Sequence, residues 1–517
     1  MGNGIFIQKI HTSILFWTLA LIAIGLPSTK ILLSIGFVLM IANWIFEGNF
    51  VDKWRLIQSN SILKLLLAFY ALLIIGLIWS WDVGQGLKDI KSRLPFLFIP
   101  LIIGTSPLLE EGKIRILLNL LLASLVVTSV FNVLYYNHVF GYHYIDDIRG
   151  MSRFASHIRY AILIAMGFAI CIWFQMQSKR LNLVYSLLAL WFAFYTVYSQ
   201  VLSGILAFSL IGITLLLLTL YKFKKFVALL VGGLVILVGV FVISWFFNVK
   251  HEYVDCNQLP KETVRGVKYN HNCETFSEFN GQAIFKNYSE IEMFHAWLKV
   301  SDVDFMGLDA KGGLLRVTAC RYMTSLGLTK DADGMKYLTA QDIRNIEDGY
   351  VYRTERDELF MPRIYGVKYQ ILNPKDPNGH SLLQRLEHWK AAFYIIKKYG
   401  VFGVGTGGNQ KAFDKAYDEI NSPLSQENRV RAHNMFLTYT ISYGLVGLFL
   451  FSLIFIYLLH LAVKYKDLLS LLFLVIIISS FFLEDTLETQ VGVTIVGFVI
   501  ALQQYFLRSF IQRDSIR

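Results

Sequence analysis

The sequence is short of charge. Only 16% of its 517 residues are Asp, Glu, Lys or Arg, whereas a typical soluble domain carries about 25%. Hydrophobic residues make up 55% of the chain, and they form long blocks rather than alternating with polar residues. A bilayer-spanning helix needs roughly 20 mostly apolar residues, because its backbone groups must bond within the helix where water is absent. The pattern excludes an ordinary soluble domain and predicts a polytopic integral membrane protein.

Cysteine is scarce as well, with four residues and no pair spaced as in a zinc motif. Cys256 and Cys273 lie in a polar segment that is predicted to be outside the cytoplasm, where a disulfide is permitted. Cys320 is then left unpaired, and Cys171 is predicted to pack inside a helix. The basic segments contain no paired-carboxylate metal motif. We therefore expect neither a metal ion nor a cofactor.

Apolar blocks are what the sequence does contain, and they predict an all-α fold with about twelve transmembrane helices. The blocks are 10–27, 29–46, 61–80, 94–106, 114–137, 157–176, 182–199, 201–221, 226–247, 433–463, 468–483 and 490–510. The first block lacks a signal-peptide cleavage site and runs into a second block, so we interpret it as a helix. The predicted division is helices one to nine in 1–247, a large periplasmic loop domain in 248–432, and helices ten to twelve with a cytoplasmic tail in 433–517.

Lysine and arginine cluster in alternate loops, which places both termini in the cytoplasm and 248–432 outside. Two short outer loops break this rule. The basic residues concerned are Lys88, Lys91 and Arg93 in the first loop and Arg149, Arg153 and Arg159 in the second. An anionic ligand on the outer face is one explanation, and contacts with lipid phosphates or nearby aspartates are another.

The end of the outer segment predicts an amphipathic surface helix near 381–399. Apolar residues recur there at helical spacing, and Arg385 and Trp389 share one face. A glycine-rich loop around Gly405 follows. It lacks the lysine and Ser/Thr pair of a nucleotide-binding P-loop, so it is either a flexible return to the membrane or a set of backbone amides for a phosphate or sugar.

Arg429, Arg431, His433 and Asn434 immediately precede an apolar helix and so lie at the outer interface. If the segment is already helical, Arg429 and His433 share a face. The opposite loop carries Arg153, His157 and Arg159, and the first two again have helical i,i+4 spacing. An isolated interfacial histidine is more often structural than catalytic, but this one is clustered with arginines.

Arginine binds pyrophosphate oxygens through two parallel donors without losing its charge. Histidine takes a proton from an attacking hydroxyl near neutral pH. The cluster therefore predicts transfer from a lipid pyrophosphate to an alcohol. In the last outer loop, Glu484 and Glu488 are spaced to share a helical face. They either hold an arginine or histidine in place, contact acceptor hydroxyls, or belong to a solvated loop.

Three stretches in order resemble the O-antigen ligase/polymerase family. They are the Arg385-x-x-x-Trp389 helix, the Gly403-x-Gly405-x-Gly407 loop and the Arg431-Ala-His433-Asn434 helix entry. The resemblance implies a metal-independent, GT-C-like glycosyltransferase of the bacterial inner membrane that uses an undecaprenyl-pyrophosphate-linked glycan. It implies His433 as the essential histidine and Arg385 and Arg431 among the phosphate-binding arginines.

The chain departs from the family near Leu202, where no basic residue stands in place of a Ser-Arg pair. Arg153 or Arg159 is then expected to supply the missing charge. Residues 250–370 are not accounted for by the family pattern.

The leading hypothesis is an O-antigen ligase that moves a glycan to lipid A-core on the periplasmic face. An O-antigen polymerase and a protein O-oligosaccharyltransferase use the same chemistry and stay open. A lipid-linked glycan transporter is the alternative of another class. Transporters usually show repeated halves and charges at the membrane midplane, whereas this sequence has unlike halves and charge at one interface. The expected partners are the donor, the acceptor and membrane lipids, without nucleic acid.

Overall fold

A computed structural model describes residues 2–141, 148–178, 181–247, 254–278, 281–358, 361–374 and 377–514. The chain forms two compact units. Unit 1 comprises Met1–Phe223, Glu387–Ser422 and Gln426–Arg517, and unit 2 comprises Lys224–Leu386 and Pro423–Ser425. The residues that surround His433 therefore belong to the same unit as most of the apolar helices.

The first ten helices belong to unit 1. They are α1 (Gly2–Ser28), α2 (Lys30–Phe46), α3 (Phe50–Ser59), α4 (Ser61–Ile75), α5 (Val83–Ser92), α6 (Leu94–Thr105), α7 (Glu111–Tyr136), α8 (His157–Gln177), α9 (Leu183–Ser199) and α10 (Leu202–Phe223). Most of them are apolar, whereas α3 and α5 are amphipathic and bury only two residues each. Capping side chains define several of the helix starts, for example Asn60 at α4 and Asp82 at α5.

Unit 2 begins with an apolar helix and continues into a small folded region. Its elements are α11 (Lys225–Phe247), β1 (Asn272–Phe276), β2 (Ala283–Phe285), α12 (Glu290–Trp297), α13 (Leu315–Ser325), α14 (Ala332–Met335), α15 (Ala340–Glu347) and α16 (Met361–Leu372). The strands form an antiparallel hairpin, and a disulfide joins Cys273 on β1 to Cys256. Trp297, Phe305 and Tyr322 are fully buried in the core of this region. Residues that the family pattern leaves unassigned thus form a folded body.

The chain then runs through α17 (Ser381–Tyr399) and α18 (Asn409–Glu419) to α19 (Met435–Lys464), α20 (Leu468–Phe481) and α21 (Gln490–Asp514). Helix α17 has the bounds that its amphipathic pattern predicts. Helix α21 is buried along Val491–Tyr505, which is typical of a helix at the centre of a bundle. Cys171 and Cys320 are both buried and free, as expected.

Each of the twelve predicted apolar blocks coincides with a helix, although α4 ends at Ile75 and α20 at Phe481, short of the predicted ends. Within the described ranges, seven helices are long and apolar enough to cross a bilayer, or eight if α2 and α3, bent by 111°, form one span. The three shorter apolar helices are α4, α9 and α20. The chain is therefore a mostly helical, multi-span membrane protein.

Candidate functional site

The segment before α19 is an extended turn rather than a helix. Asn434 is the N-cap of α19, and its side-chain oxygen accepts a hydrogen bond from the backbone N–H of Leu437 at 3.1 Å. This cap is the reason that the helix starts at Met435. The prediction that Arg429 and His433 share a helical face is therefore wrong, since both residues precede the helix.

Two adjacent residues of α17 brace this turn. Trp389 donates its indole N–H to the carbonyl of Ala432 at 2.9 Å. The Nε2 atom of the buried His388 lies 3.0 Å from the carbonyl of Asn428. The His388 and His433 rings pack with centroids 5.8 Å apart. Trp389 thus positions the backbone between Arg431 and His433 through a hydrogen bond to that backbone.

His433 has an unusual backbone and a defined orientation. Its φ is +48°, a left-handed conformation that costs energy for a non-glycine residue. Its Nδ1 lies 3.5 Å from Oδ2 of Asp485, which is in the loop between α20 and α21. Oδ1 of that aspartate accepts a hydrogen bond from the Thr438 hydroxyl at 3.0 Å. At this distance Asp485 faces the Nδ1 side of the imidazole without a hydrogen bond to Nδ1, so it acts on the ring through its charge.

Asp485 is buried, and this burial raises the pKa of its carboxyl above the ordinary value, with the nearby Glu488 charge adding to the rise. His433, the hydrogen bond from Thr438 and Arg431 act in the opposite direction. The charged form of Asp485 therefore depends on its neighbours, among which His433 is the largest stabilising influence.

Glu488 lies between two arginines. Arg431 donates to one carboxylate oxygen at 2.6 Å, and Arg93 donates to the other. Arg93 is also 3.6 Å from Asp89. Burial opposes the charge of Glu488, but Arg93 and Arg431 outweigh it and hold the pKa of this carboxyl below its ordinary value. Glu488 is thus an ionised buried group that fixes the direction of both guanidinium groups.

Arg431 and His433 open into one cleft of ≈ 420 Å³. Arg431 keeps 22% of its side chain exposed and His433 keeps 34%, whereas Arg93 keeps 4%. The cleft therefore presents one arginine and the histidine to a ligand, with the second arginine behind them. The residues that line the cleft are Gln85, Lys88, Asp89, Ser92, Gln410, Val430, Arg431, His433, Asp485 and Glu488.

The loop between α20 and α21 is an ordered part of this region. Glu484 accepts a hydrogen bond from Arg159 at 2.9 Å, and both side chains are largely buried. The loop contains a short 3-10 turn, Thr486–Glu488, and Glu484 precedes this turn. The expectation that Glu484 and Glu488 share one helical face is therefore wrong. The solvated-loop interpretation is wrong as well, because Glu484 and Glu488 are buried against arginines.

Other basic candidates lie elsewhere. Arg153 is exposed, with its guanidinium 4.7 Å from the centroid of the Tyr135 ring. Since α8 begins at His157, the helical spacing assumed for Arg153 and His157 is wrong. Arg429 donates to Asp418 at 2.6 Å. Arg385 is half-buried in the part of α17 that belongs to unit 2.

The glycine-rich loop packs against helix ends. Gly405 has φ +79°, and its backbone N–H donates to Ser442 at 2.9 Å. A Cβ at this position would stand 2.6 Å from the carbonyl oxygen of Gly76 and from the Cα of Ser80. Thr406 is fully buried and donates to Leu73 at 2.5 Å. A flexible return to the membrane is therefore the wrong interpretation, because the loop needs its glycines for close packing.

Sequence reasoning assigned no role to Asp485, Arg93 or His388. Arg93 had a signal, because it belongs to the basic residues of a short loop that the charge pattern predicts to be outside the cytoplasm. His388 had none, since it reads as part of an amphipathic helix. Among the described residues, no three His, Cys, Asp or Glu side chains converge as a metal site. Metal independence stays a prediction.

Comparison with known families adds an independent finding. Residues 348–452 match the sequence profile of the O-antigen ligase family, Wzy_C. This range includes the α17 motif, the glycine-rich loop and the turn that carries His433, so the predicted resemblance is confirmed. The family comprises ligase- or glycosyltransferase-type enzymes of O-antigen ligase or polymerase type. No curated protein matches the chain.

Proposed function

We propose that the chain is an O-antigen ligase, which transfers a glycan from undecaprenyl pyrophosphate to lipid A-core on the periplasmic face of the bacterial inner membrane. The observation that carries this proposal is the single cleft that holds His433, oriented by Asp485, beside Arg431. The family match over 348–452 supports the reaction class. The proposal includes the predicted topology: about twelve spans, cytoplasmic termini and the domain bounds 1–247, 248–432 and 433–517.

The reaction is a displacement at the anomeric carbon of the donor. An acceptor hydroxyl transfers its proton to Nε2 of His433 while its oxygen bonds to that carbon. The bond from the carbon to the pyrophosphate oxygen breaks, and undecaprenyl pyrophosphate leaves with the electron pair. His433 then releases the proton to the leaving group or to water. Asp485 stabilises the transient imidazolium from the Nδ1 side.

Arg431 is the proposed pyrophosphate-binding group, because its guanidinium lines the cleft and Glu488 fixes its direction. Charge that develops on the leaving oxygen is stabilised by donors already in place. We include Arg385 as a second phosphate-binding arginine, because it belongs to the Arg385-x-x-x-Trp389 motif of the family. Arg159, Arg429 and Arg153 are the other arginines that we expect to bind the pyrophosphate. Arg159 pairs with Glu484 and Arg429 pairs with Asp418 in the structure.

The test is replacement of His433 by alanine in the full chain. Removal of the base should lower glycan capping of lipopolysaccharide about 100-fold or more. His460→Ala is the matched control, because His460 is an exposed residue near the other end of α19. Normal capping by a well-expressed His433→Ala variant would refute the role of this histidine.

Lipopolysaccharide from a strain that lacks this protein distinguishes the three classes of acceptor. Loss of a ligase leaves bare core, whereas loss of a polymerase leaves single repeats and loss of a protein transferase leaves lipopolysaccharide unchanged.

The purified chain in detergent should couple donor to acceptor without a membrane gradient. Failure of that coupling, together with gradient-dependent movement of the donor in vesicles, would favour a transporter.

A further inference from the structure

The cleft has a second wall, formed by α5 and by α18, that the proposed chemistry does not use. On α5, Gln85, Lys88 and Ser92 line the cleft at helical spacing. On α18, Gln410 lines it from the other side. Beside Lys88 and Asp89, which also line the cleft from α5, this wall presents the neutral amide groups of Gln85 and Gln410 and the hydroxyl of Ser92.

The partners of these amides determine which atom each one offers to a ligand. The amide nitrogen of Gln85 donates to Asp89 at 2.7 Å. The amide nitrogen of Gln410 donates to Asp414 at 2.9 Å and to the carbonyl of Arg429 at 3.1 Å. A carboxylate or carbonyl only accepts, so the nitrogen must face it and Oε1 must face away. In the described part of the chain, no group donates to Oε1 of either glutamine.

Ser92 repeats this arrangement, because its hydroxyl donates to the carbonyl of Asp89 at 2.9 Å and leaves lone pairs on Oγ. A wall of hydrogen-bond acceptors repels phosphate oxygens and attracts O–H donors. Arg431 and Lys88 supply cations to the same cleft. The cleft therefore offers cations for an anionic group and hydrogen-bond-accepting oxygens for hydroxyl groups.

We infer that Gln85 and Gln410 are specificity-determining residues that bind hydroxyl groups of the acceptor sugar beside His433. This inference rests on the proposed function. Two oxygen atoms that accept hydrogen bonds, on two different helices, suit an acceptor sugar with several hydroxyls. A serine or threonine of an acceptor protein offers one hydroxyl. Each contact holds the acceptor so that its reacting hydroxyl meets His433.

The experiment measures KM for donor and acceptor separately, with the purified full chain, an undecaprenyl-pyrophosphate glycan and lipid A-core. Gln410→Met and Gln85→Met keep the side-chain length and remove the acceptor oxygen. Each should raise the KM for the acceptor about threefold to tenfold, the effect of one lost hydrogen bond, and leave the KM for the donor unchanged. Gln58→Met, on the exposed surface of α3, is the matched control and should change neither constant.

A set of acceptors that each lack one hydroxyl separates binding from a structural effect. For the acceptor that lacks the contacted hydroxyl, wild type and variant should have the same KM, because the pair of losses is not additive. An unchanged acceptor KM in both variants, or an equal rise for every deoxy acceptor, would overturn the inference. Failure of the wild-type chain to transfer the glycan to lipid A-core would instead refute the proposed function, so the two failures are distinguishable.

Discussion

At the scale of single residues, the site depends on how buried carboxylates are paired. Glu488 has an arginine on each oxygen, whereas Asp485 has a hydroxyl on one oxygen and His433 at 3.5 Å from the other. Their pKa values accordingly move in opposite directions, below the ordinary value for Glu488 and above it for Asp485. Arginine keeps its charge at every physiological pH, but the positive charge of a histidine depends on pH.

The raised pKa of Asp485 predicts a pH-dependent stability that asparagine would remove. Between the unfolded pKa, about 3.9, and the higher folded pKa, the folded chain keeps a proton that the unfolded chain has lost. The free energy of unfolding therefore falls as pH rises through this window. In Asp485→Asn the fall should be absent, so the Tm difference, variant minus wild type, should grow as pH rises. Thermal unfolding in detergent at a series of pH values measures it.

Transfer activity of Asp485→Asn should meanwhile fall about 100-fold or more, because the imidazole loses its carboxylate partner. Tm values of Asp485→Asn and wild type that differ by a constant amount across the pH series would contradict the raised pKa of Asp485. Unchanged activity would contradict the orienting role.

Features formed by residues that are close in sequence could be predicted, whereas contacts between residues that are far apart in sequence could not. The start of α19 and the histidine before it were evident from Arg431-Ala-His433-Asn434, but the non-helical turn that carries this histidine was not. The partner of Arg431 is 57 residues away, and that of Arg93 is 395 residues away. No periodicity connects such positions, because only helix packing brings them together. Asp485 stayed unassigned for the same reason.

At the scale of elements, the glycine-rich loop joins the end of α4, the start of α5 and the first turns of α19. Trp81 donates its backbone N–H to Val404 at 3.2 Å, and the backbone N–H of Gly405 donates to Ser442 on α19. Helix α5 contributes Gln85 and Lys88 to the cleft, and α19 follows His433. The loop therefore positions the two helices on which the cleft depends.

Gly405→Ala should destabilise the chain by at least about 2 kcal/mol, because alanine is strained at positive φ and its Cβ meets backbone atoms. Thermal unfolding in detergent measures the loss. Gly112→Ala in α7 is the matched control, since no atom lies within 4 Å of a Cβ there. The control should be neutral or stabilise the helix by up to about 1 kcal/mol. Equal Tm values for the two variants would argue against a packing role for the loop.

Helices with a strong pattern were predictable to within a few residues. Helix α17 spans Ser381–Tyr399 as its apolar stripe and following glycine indicate. Helix α5 was read only as a basic loop, because ten residues with three charges and two glycines give a weak signal. The loop's packing could not be predicted, since it depends on the backbone positions of Gly76 and Ser80.

At the scale of the whole molecule, the disulfide bears on the proposed orientation of the chain in the membrane. Cys256 and Cys273 are bonded, and such bonds persist in oxidising compartments. They lie in unit 2, after α11. The proposed topology puts this segment in the periplasm and the end of α19 in the cytoplasm.

Cysteine labelling tests that topology. In Cys256→Ser, the freed Cys273 should react with an impermeant maleimide once the outer membrane is permeabilised. Lys464→Cys, at the exposed end of α19, should react only after the inner membrane is opened. The buried Cys171 and Cys320 should contribute little background. A reversed labelling order would invert the proposed topology. Loss of the disulfide should also cost unit 2 roughly 2–4 kcal/mol.

The membrane-protein class was predictable from composition alone, but the fold of the segment that follows α11 was not. The strands β1 and β2 are five and three residues long, too short for alternation to be read. The buried Trp297 and Tyr322 stand on short helices, and tertiary packing rather than local pattern stabilises such elements.

The left-handed backbone of His433 has a consequence for how the protein tolerates change. Whatever chemistry the imidazole performs, it stands at a position that glycine or asparagine would occupy with less strain. If His433 acts as in the proposed function, stability and activity make opposite demands on this one residue. Selection for a more stable fold alone would favour glycine or asparagine at this position, and the proposed reaction is what would retain the histidine.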